Sequence, residues 1–281
     1  MTSNEEQREY WADEGESWVG LEDQYNAMLR PFGELVVERL TLQPGERVLD
    51  IGCGTGDTTL GLGEVVGPTG VALGVDISTS MLGRATERSA GIANVNFVEA
   101  DAQSFDFEDM IVDAVASRFG VMFFEDPGAA FANLVSPLRP GGRAVFLTWQ
   151  GIEKNEWMLV PGGALMSVGI ELPLGGDPRE PGPFQLADAE WAESLLTDAG
   201  LIDVVAEPID TTMLIGGGLD AEGSVAFLRD SGIGRSMLAD VDDELAARAL
   251  DAAVEATRPF ETDEGVRMGA GMQLLSGRKP D

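Results

Sequence analysis

The chain of 281 residues contains no histidine. That absence removes Ser-His-Asp and Cys-His nucleophilic catalysis, His-ligated metal centres and the usual near-neutral general base. Any base here has to be Asp, Glu, Tyr, Lys or water. Cys53 is the single cysteine, so an internal disulfide is excluded and a reducing compartment fits. Basic residues are scarce: 18 Lys and Arg stand against 49 Asp and Glu, a formal net charge of −31. A surface of that sign repels phosphate backbones and anionic membranes, so neither nucleic acid nor a membrane is an expected partner. The acids are spread along the chain rather than gathered in a tail, which reads as solubility, in keeping with a salty cytoplasm. No apolar run is long enough to span a bilayer, and residues 1–9 are polar and acidic, unlike a secretory leader. A cytoplasmic protein is therefore expected. The 44% hydrophobic content is enough for a sizeable core.

What the chain does carry is Arg47-Val48-Leu49-Asp50-Ile51-Gly52-Cys53-Gly54-Thr55-Gly56-Asp57. Residues 48–51 read as a short buried strand, and residues 58–66 as an amphipathic helix. Between them, glycines stand at alternate positions 52, 54 and 56. Glycine permits positive φ and removes the Cβ, so a ligand can lie against the backbone there. The free N–H groups of the next helix start add donors. A dinucleotide fingerprint needs G-x-G-x-x-G. Counted from Gly52, its third glycine falls on Asp57; counted from Gly54, it falls on Thr59. Both registers fail. A tight strand–helix turn without a ligand is the plainer alternative for the loop.

Acids recur where later strands end. Residues 70–76 read as a second buried strand closing on Asp76, roughly 20 residues past the loop, where a βαβ unit places a carboxylate for ribose hydroxyls. A cap for the helix starting at Ser78 is the alternative role. Residues 95–100 read as a third strand, followed by Asp101-Ala102-Gln103. Residues 111–117 read as a fourth, running into Ser117-Arg118-Phe119, a loop that faces the cleft in doubly wound folds. Arg118 is either an ion-pair partner or a cleft residue, and Phe119, Phe123 and Phe124 are either core or pocket wall. A helix over 127–138, the turn Arg139-Pro140-Gly141-Gly142 and a strand over 144–149 follow.

The Asp50-x-Gly52-x-Gly54-x-Gly56 loop, the strand-end Asp76 and Asp101, and the Arg-Pro-Gly-Gly leader together resemble class I S-adenosylmethionine (SAM)-dependent methyltransferases, in particular the bacterial small-molecule type near the ubiquinone/menaquinone methyltransferase group. The likeness is good over residues 40–150 and only topological beyond. It implies an α/β fold: a Rossmann-like, doubly wound, seven-stranded sheet in the order 3-2-1-4-5-7-6, last strand antiparallel, with N-terminal helices and a helical cap. It implies SAM as cofactor, with Asp50, Gly52, Cys53 and Gly54 around the methionine half. Asp76 would take the ribose, Ile77 and Met81 would give apolar contacts to the adenine, and Asp101, Ala102 and Gln103 would meet the adenine edge. Ser117 and Arg118 complete the set by position. The implied reaction is methyl transfer to the O, N or C of a small molecule by in-line displacement. Other SAM chemistry on the same fold, or SAM binding without turnover, are the alternatives. No catalytic residue is assigned; Tyr10, Tyr25 and Glu125 are the candidates for a base, and no metal is expected.

The expected organisation is a helical lid over 1–43, a SAM-binding core over 44–150, a cap insertion over 151–186, and a completion of the sheet over 187–281 that carries a second helical insertion at 216–258. Helices are expected over 5–18 and 23–40, with Pro31 interrupting or starting one. Further helices are expected over 156–168, 187–199, 219–230 and 242–257. Strands are expected over 201–209 and 266–275, the last antiparallel at the edge. Glycines 175–176 belong to an irregular loop, and glycines 216–218 to a flexible break. Oligomeric state is left open.

Overall fold

The computed structural model describes residues 4–107, 110–171 and 177–281; Gly175 and Gly176 lie outside the described residues. Two long helices come first, α1 (Glu5–Gly20) and α2 (Glu22–Leu40). In α2, Tyr25, Met28, Leu29, Phe32, Val36 and Leu40 are buried, a stripe at helical spacing that faces the sheet. That stripe continues on both sides of Pro31, so the helix runs through the proline rather than breaking there.

Strand and helix then alternate: β1 (Arg47–Ile51), α3 (Asp57–Val66), β2 (Val71–Asp76), α4 (Thr79–Arg88), β3 (Val95–Glu99), β4 (Val112–Arg118), α5 (Pro127–Val135) and β5 (Leu138–Trp149). These strands pair in parallel, in the order β3-β2-β1-β4-β5. The helices α6 (Glu156–Ser167) and α7 (Ala189–Asp198) lead to β6 (Ile202–Leu214). After α8 (Ala221–Asp230), α9 (Gly232–Leu238) and α10 (Asp243–Thr257), the two-residue β7 (Glu261–Thr262) and the long β8 (Gly265–Arg278) close the chain. An acid-rich sequence supplies its own caps: Asp126, Asp188, Asp220 and Asp242 each accept a backbone N–H at the start of α5, α7, α8 and α10.

The sheet reads β3-β2-β1-β4-β5-β8-β6, with β8 antiparallel to both neighbours and β7 paired only to β8. Setting aside β7, this is the expected 3-2-1-4-5-7-6 order. One detail differs: the last strand lies inside the sheet, and β6 takes the edge. The side chains explain it. Val266, Met268, Ala270, Met272, Leu274 and Leu275 of β8 are buried, whereas β6 carries Asp203, Glu207, Pro208 and Asp210 and is mostly exposed. Pro208 offers no N–H to a further strand, which suits an edge. Gly216, Gly217 and Gly218 form a tight turn rather than a flexible break. All three have positive φ, and a Cβ on Gly217 would lie 2.3 Å from Ala27 Cβ. Two further elements escape the sequence reading: α9, and the early start of β5 at Leu138. Outside the main core, α6 and α10 bury Ala164, Leu165, Ala249 and Ala253 against Val225 of α8.

Candidate functional site

The C-terminal tips of β3, β2, β1 and β4 open onto one cavity of about 240 Å³. The glycine loop forms its floor. Gly52 N and Cys53 N donate to Val75 O at 2.8 and 3.2 Å, which ties the loop to β2. Gly52 (φ 64°) and Gly56 (φ 83°) are fixed by close approach: a Cβ on Gly52 would stand 2.6 Å from Gly120 Cα, and one on Gly56 2.8 Å from Phe97 Cζ. Gly54 (φ 54°) has nothing nearer than Met81 Sδ at 3.6 Å and faces the cavity.

Of the twelve residues expected from the sequence, the cavity brings together Gly52, Cys53, Gly54, Asp76, Ile77, Met81, Asp101, Ala102 and Arg118. Asp76 is 7% exposed; its Oδ2 accepts from Gly54 N at 2.7 Å and its Oδ1 from Ser78 N at 2.9 Å. The carboxylate thus ties the loop to the start of α4 while lining the cavity. Burial pushes its pKa up, against those amides. At Asp101, Oδ1 accepts from Asn4 Nδ2 and from Gln103 N, each at 2.9 Å, and Oδ2 from Ser104 Oγ at 3.0 Å. Burial also pushes the Cys53 thiol well up, which leaves it a small space-filling side chain rather than a nucleophile.

Asp50, Gln103 and Ser117 do not line the cavity. Asp50 is 1% exposed beneath the loop and accepts from Thr59 Oγ1 at 2.6 Å. It braces β1 against α3 from beneath the loop. Burial pushes its pKa up to about 7, opposed by the Thr59 hydrogen bond and Arg118. Gln103 Oε1 accepts from Asp126 N at 3.0 Å, which turns its side chain toward α5. Ser117 Oγ donates to Ile51 O at 2.7 Å and accepts from Gly120 N at 3.1 Å, locking the β1 and β4 tips together.

The sequence suggests an N-terminal lid and names Tyr10 and Tyr25 in it, but it singles out neither the other lining residues of those helices nor Trp149, Trp157 and Phe227. From the N-terminal helices come Gln7, Tyr10, Trp11, Glu14 and Trp18, with Tyr25 and Met28 beside them. Asn4 precedes α1 without capping it and pins its start instead: its amide donates to Asp101 and its Oδ1 accepts from Glu125 N at 3.1 Å. Trp149 at the end of β5, Trp157 of α6 and Phe227 of α8 close the other side. The aromatic residues support one another. Trp18 stacks on Tyr25 at 3.7 Å, Phe119 stacks on Trp149 at 4.1 Å, and Trp11 meets Phe123 edge-on at 5.1 Å. Phe119 holds φ 63°, an uncommon conformation for a bulky residue, and it does so at the cavity wall. Phe119, Phe123 and Phe124 are all pocket wall. The position of Trp149 at a strand's C-terminal tip was the one signal that could have flagged it.

Of the candidates for a base, Tyr10 and Tyr25 line the cavity and Glu125 does not. Burial, then the Glu14 charge, pushes the Tyr10 phenol up to about 12, and burial pushes Tyr25 up as well. Neither ionises near neutrality, so both are hydrogen-bond donors there. Glu14 is ion-paired with Arg235 of α9. No group of three or more metal-ligating side chains occurs among the described residues, and among them no helix is long and apolar enough to cross a membrane.

Residues 48–142 match the family model described as a methyltransferase domain. Among curated relatives, demethylmenaquinone methyltransferase of Staphylococcus aureus is 38% identical over 112 residues, which is 40% of this chain and 46% of the relative. The chain spans about half the length of the curated relatives it matches. Among solved structures, phosphoethanolamine N-methyltransferase 2 of Haemonchus contortus, in complex with phosphomonomethylethanolamine and S-adenosylhomocysteine, superposes with a TM-score of 0.56. That likeness is at 18% identity over 92% of this chain and 56% of that one. The [4+2]-cyclase SpnF superposes with a TM-score of 0.50 at 22% identity over 89% of this chain and 81% of that one. These structural likenesses are likenesses of fold.

Proposed function

We propose that this chain, a member of the class I SAM-dependent methyltransferase family through residues 48–142, transfers a methyl group from SAM to a small, largely apolar acceptor. The observation that carries the reading is that one cavity joins the glycine loop, Asp76 and Asp101 to an aromatic chamber. The residues fit the cofactor. Gly54 presents bare backbone to the cavity, with nothing nearer than Met81 Sδ at 3.6 Å to where a Cβ would stand, and buried carboxylates at the β2 and β3 tips suit the hydroxyls of a ribose and the amino group of an adenine. Bound there, SAM supplies an activated methyl group for direct displacement.

The chain's own contribution is alignment and exclusion of water. Trp11, Phe119, Phe123, Trp149 and Trp157 give flat apolar walls on which a planar acceptor lies. Holding two reactants in line lowers the barrier by removing the entropy of encounter. The roof of α1 and α2 shuts out water, which would compete as nucleophile. Tyr10 and Tyr25 hold their protons at neutral pH, so the chamber orients an acceptor hydroxyl or amine by donation rather than by deprotonating it. The reaction therefore suits an acceptor that is already nucleophilic, such as a phenol, an enol or an amine.

The test is turnover with SAM against a panel of hydroxylated and aminated aromatic compounds, following S-adenosylhomocysteine and methylated product together. The reading expects equal amounts of both. The SpnF likeness favours a second reading, chemistry on this fold without methyl transfer. Acceptor conversion without S-adenosylhomocysteine would favour that second reading and end the first.

A further inference from the structure

Among the described residues, three carboxylates line the cavity: Asp76, Asp101 and Glu14. The first two stand at the strand tips taken up by the cofactor reading. Glu14 belongs to the roof, in the middle of α1, with 15% of its side chain exposed. On a helix the side-chain neighbours are three and four positions away, and here they are Tyr10, Trp11 and Trp18. Those rings belong to an unbroken arc. Tyr10 meets Trp11 edge-on at 5.2 Å, Trp11 meets Trp18 at 6.2 Å, Trp18 stacks on Tyr25 at 3.7 Å, and Tyr25 meets Phe227 at 5.0 Å. All five rings line the cavity. The charge of Glu14 reaches both phenols of the arc and, after burial, is the next cause that holds their protons on.

One oxygen of this carboxylate is taken and the other is spare. Oε1 pairs with Arg235 of α9, which is held in turn by Ser17 Oγ and by Asp230 O at 2.6 Å. Arg235 does not itself line the cavity. Among the described residues, Oε2 accepts no hydrogen bond. It lies over the start of α9, where a Cβ on Gly232 would collide with it, so the glycine leaves the carboxylate its room at the cavity wall. Aromatic faces and a spare carboxylate oxygen share one preference: both attract a cation that carries N–H donors. The net charge of −31 draws cations in the same sense. An aliphatic amine, like a lysine with its pKa of about 10.4, is such a cation at neutral pH. From this arrangement we infer that the acceptor carries a basic amino group, seated in the aromatic arc with an N–H donating to Glu14 Oε2. This deepens the proposed function, on which it rests, by narrowing the acceptor to compounds that bear an amine.

The experiment is calorimetric titration of phenylethylamine and of phenylethanol, one skeleton with and without the charge, at neutral pH with S-adenosylhomocysteine present. The proteins are the wild-type chain, Glu14→Gln and Arg235→Gln, with folding of each variant checked by its unfolding midpoint. The wild type should hold the amine about 10- to 100-fold more tightly than the alcohol, the worth of one charge-assisted bond. Glu14→Gln should remove that preference and change the alcohol less than about 3-fold. Arg235→Gln leaves the carboxylate its full charge and should tighten the amine about 2- to 10-fold. The opposite signs separate recognition from a mere latch between α1 and α9, whose loss would weaken both probes in both variants. Equal affinity for the two probes in the wild type, or a fall for the amine in both variants, overturns the amine assignment and leaves the aromatic chamber standing as the acceptor site. A wild-type chain that takes up neither probe removes the chamber as an acceptor site and the amine with it.

Discussion

Asp50 offers a prediction whose sign and size both follow from its surroundings. The carboxyl is sealed beneath the glycine loop, accepts one hydrogen bond from Thr59, and has its pKa pushed up to about 7 by burial. In the unfolded chain it titrates near 3.9, as any aspartate does. Between those two values the folded state holds a proton that the unfolded state has released. Asp50 therefore favours folding below about pH 4, and that contribution is lost as pH rises through 7. Roughly three pH units at 1.36 kcal/mol each give about 4 kcal/mol. Asp50→Asn keeps an oxygen for Thr59 and removes the charge. The other acids titrate alike in both proteins, so the difference between them isolates Asp50. The assay is urea unfolding of both at constant ionic strength, from pH 4 to 8. The variant should gain on the wild type as pH rises, by about 4 kcal/mol in all, or a midpoint change on the order of 2 M. A difference that stays constant with pH, or that grows in favour of the wild type, would refute a buried, strongly desolvated carboxyl.

Asp76→Ala strips the acceptor from two backbone amides and from any ligand hydroxyl. It should lower stability by about 2–4 kcal/mol and weaken S-adenosylhomocysteine about 10- to 100-fold in a calorimetric titration; lost stability with unchanged affinity would reduce Asp76 to a tie between loop and α4. Asn4→Ala frees α1 from Asp101 and Glu125, and hydrogen exchange across residues 5–14 should quicken about 3- to 10-fold with the sheet unchanged. Unchanged exchange there would mean that packing alone holds the roof.

The core of the fold was legible because its signals are local. A run of Val, Leu and Ile followed by glycines that must take positive φ can form little other than a strand, a tight turn and a helix. Asp76 and Asp101 were legible for a related reason, as acids placed where buried strands end. The direction of Asp50 was not legible because β1 is buried on both faces, so alternation along the strand does not say which way a side chain points. Gln103 and Ser117 lie next to cavity residues, yet their side chains turn to α5 and to β1, a choice made by distant partners. The aromatic roof depends on contacts between segments some 200 residues apart, such as Tyr25 against Phe227, for which no local spacing exists. Helix α9 was hidden because Gly232 and Gly234 are weak helix formers, and it persists by packing on α8 and on Glu14.

The most direct measurement is a crystal structure of the chain grown with S-adenosylhomocysteine. The account predicts one molecule along the strand tips, its adenine at Asp101, its ribose on Asp76 and its sulfur above Gly52 to Gly54, facing the chamber of Trp149 and Trp157. The same molecule found away from these tips, or turned end for end along them, would contradict it.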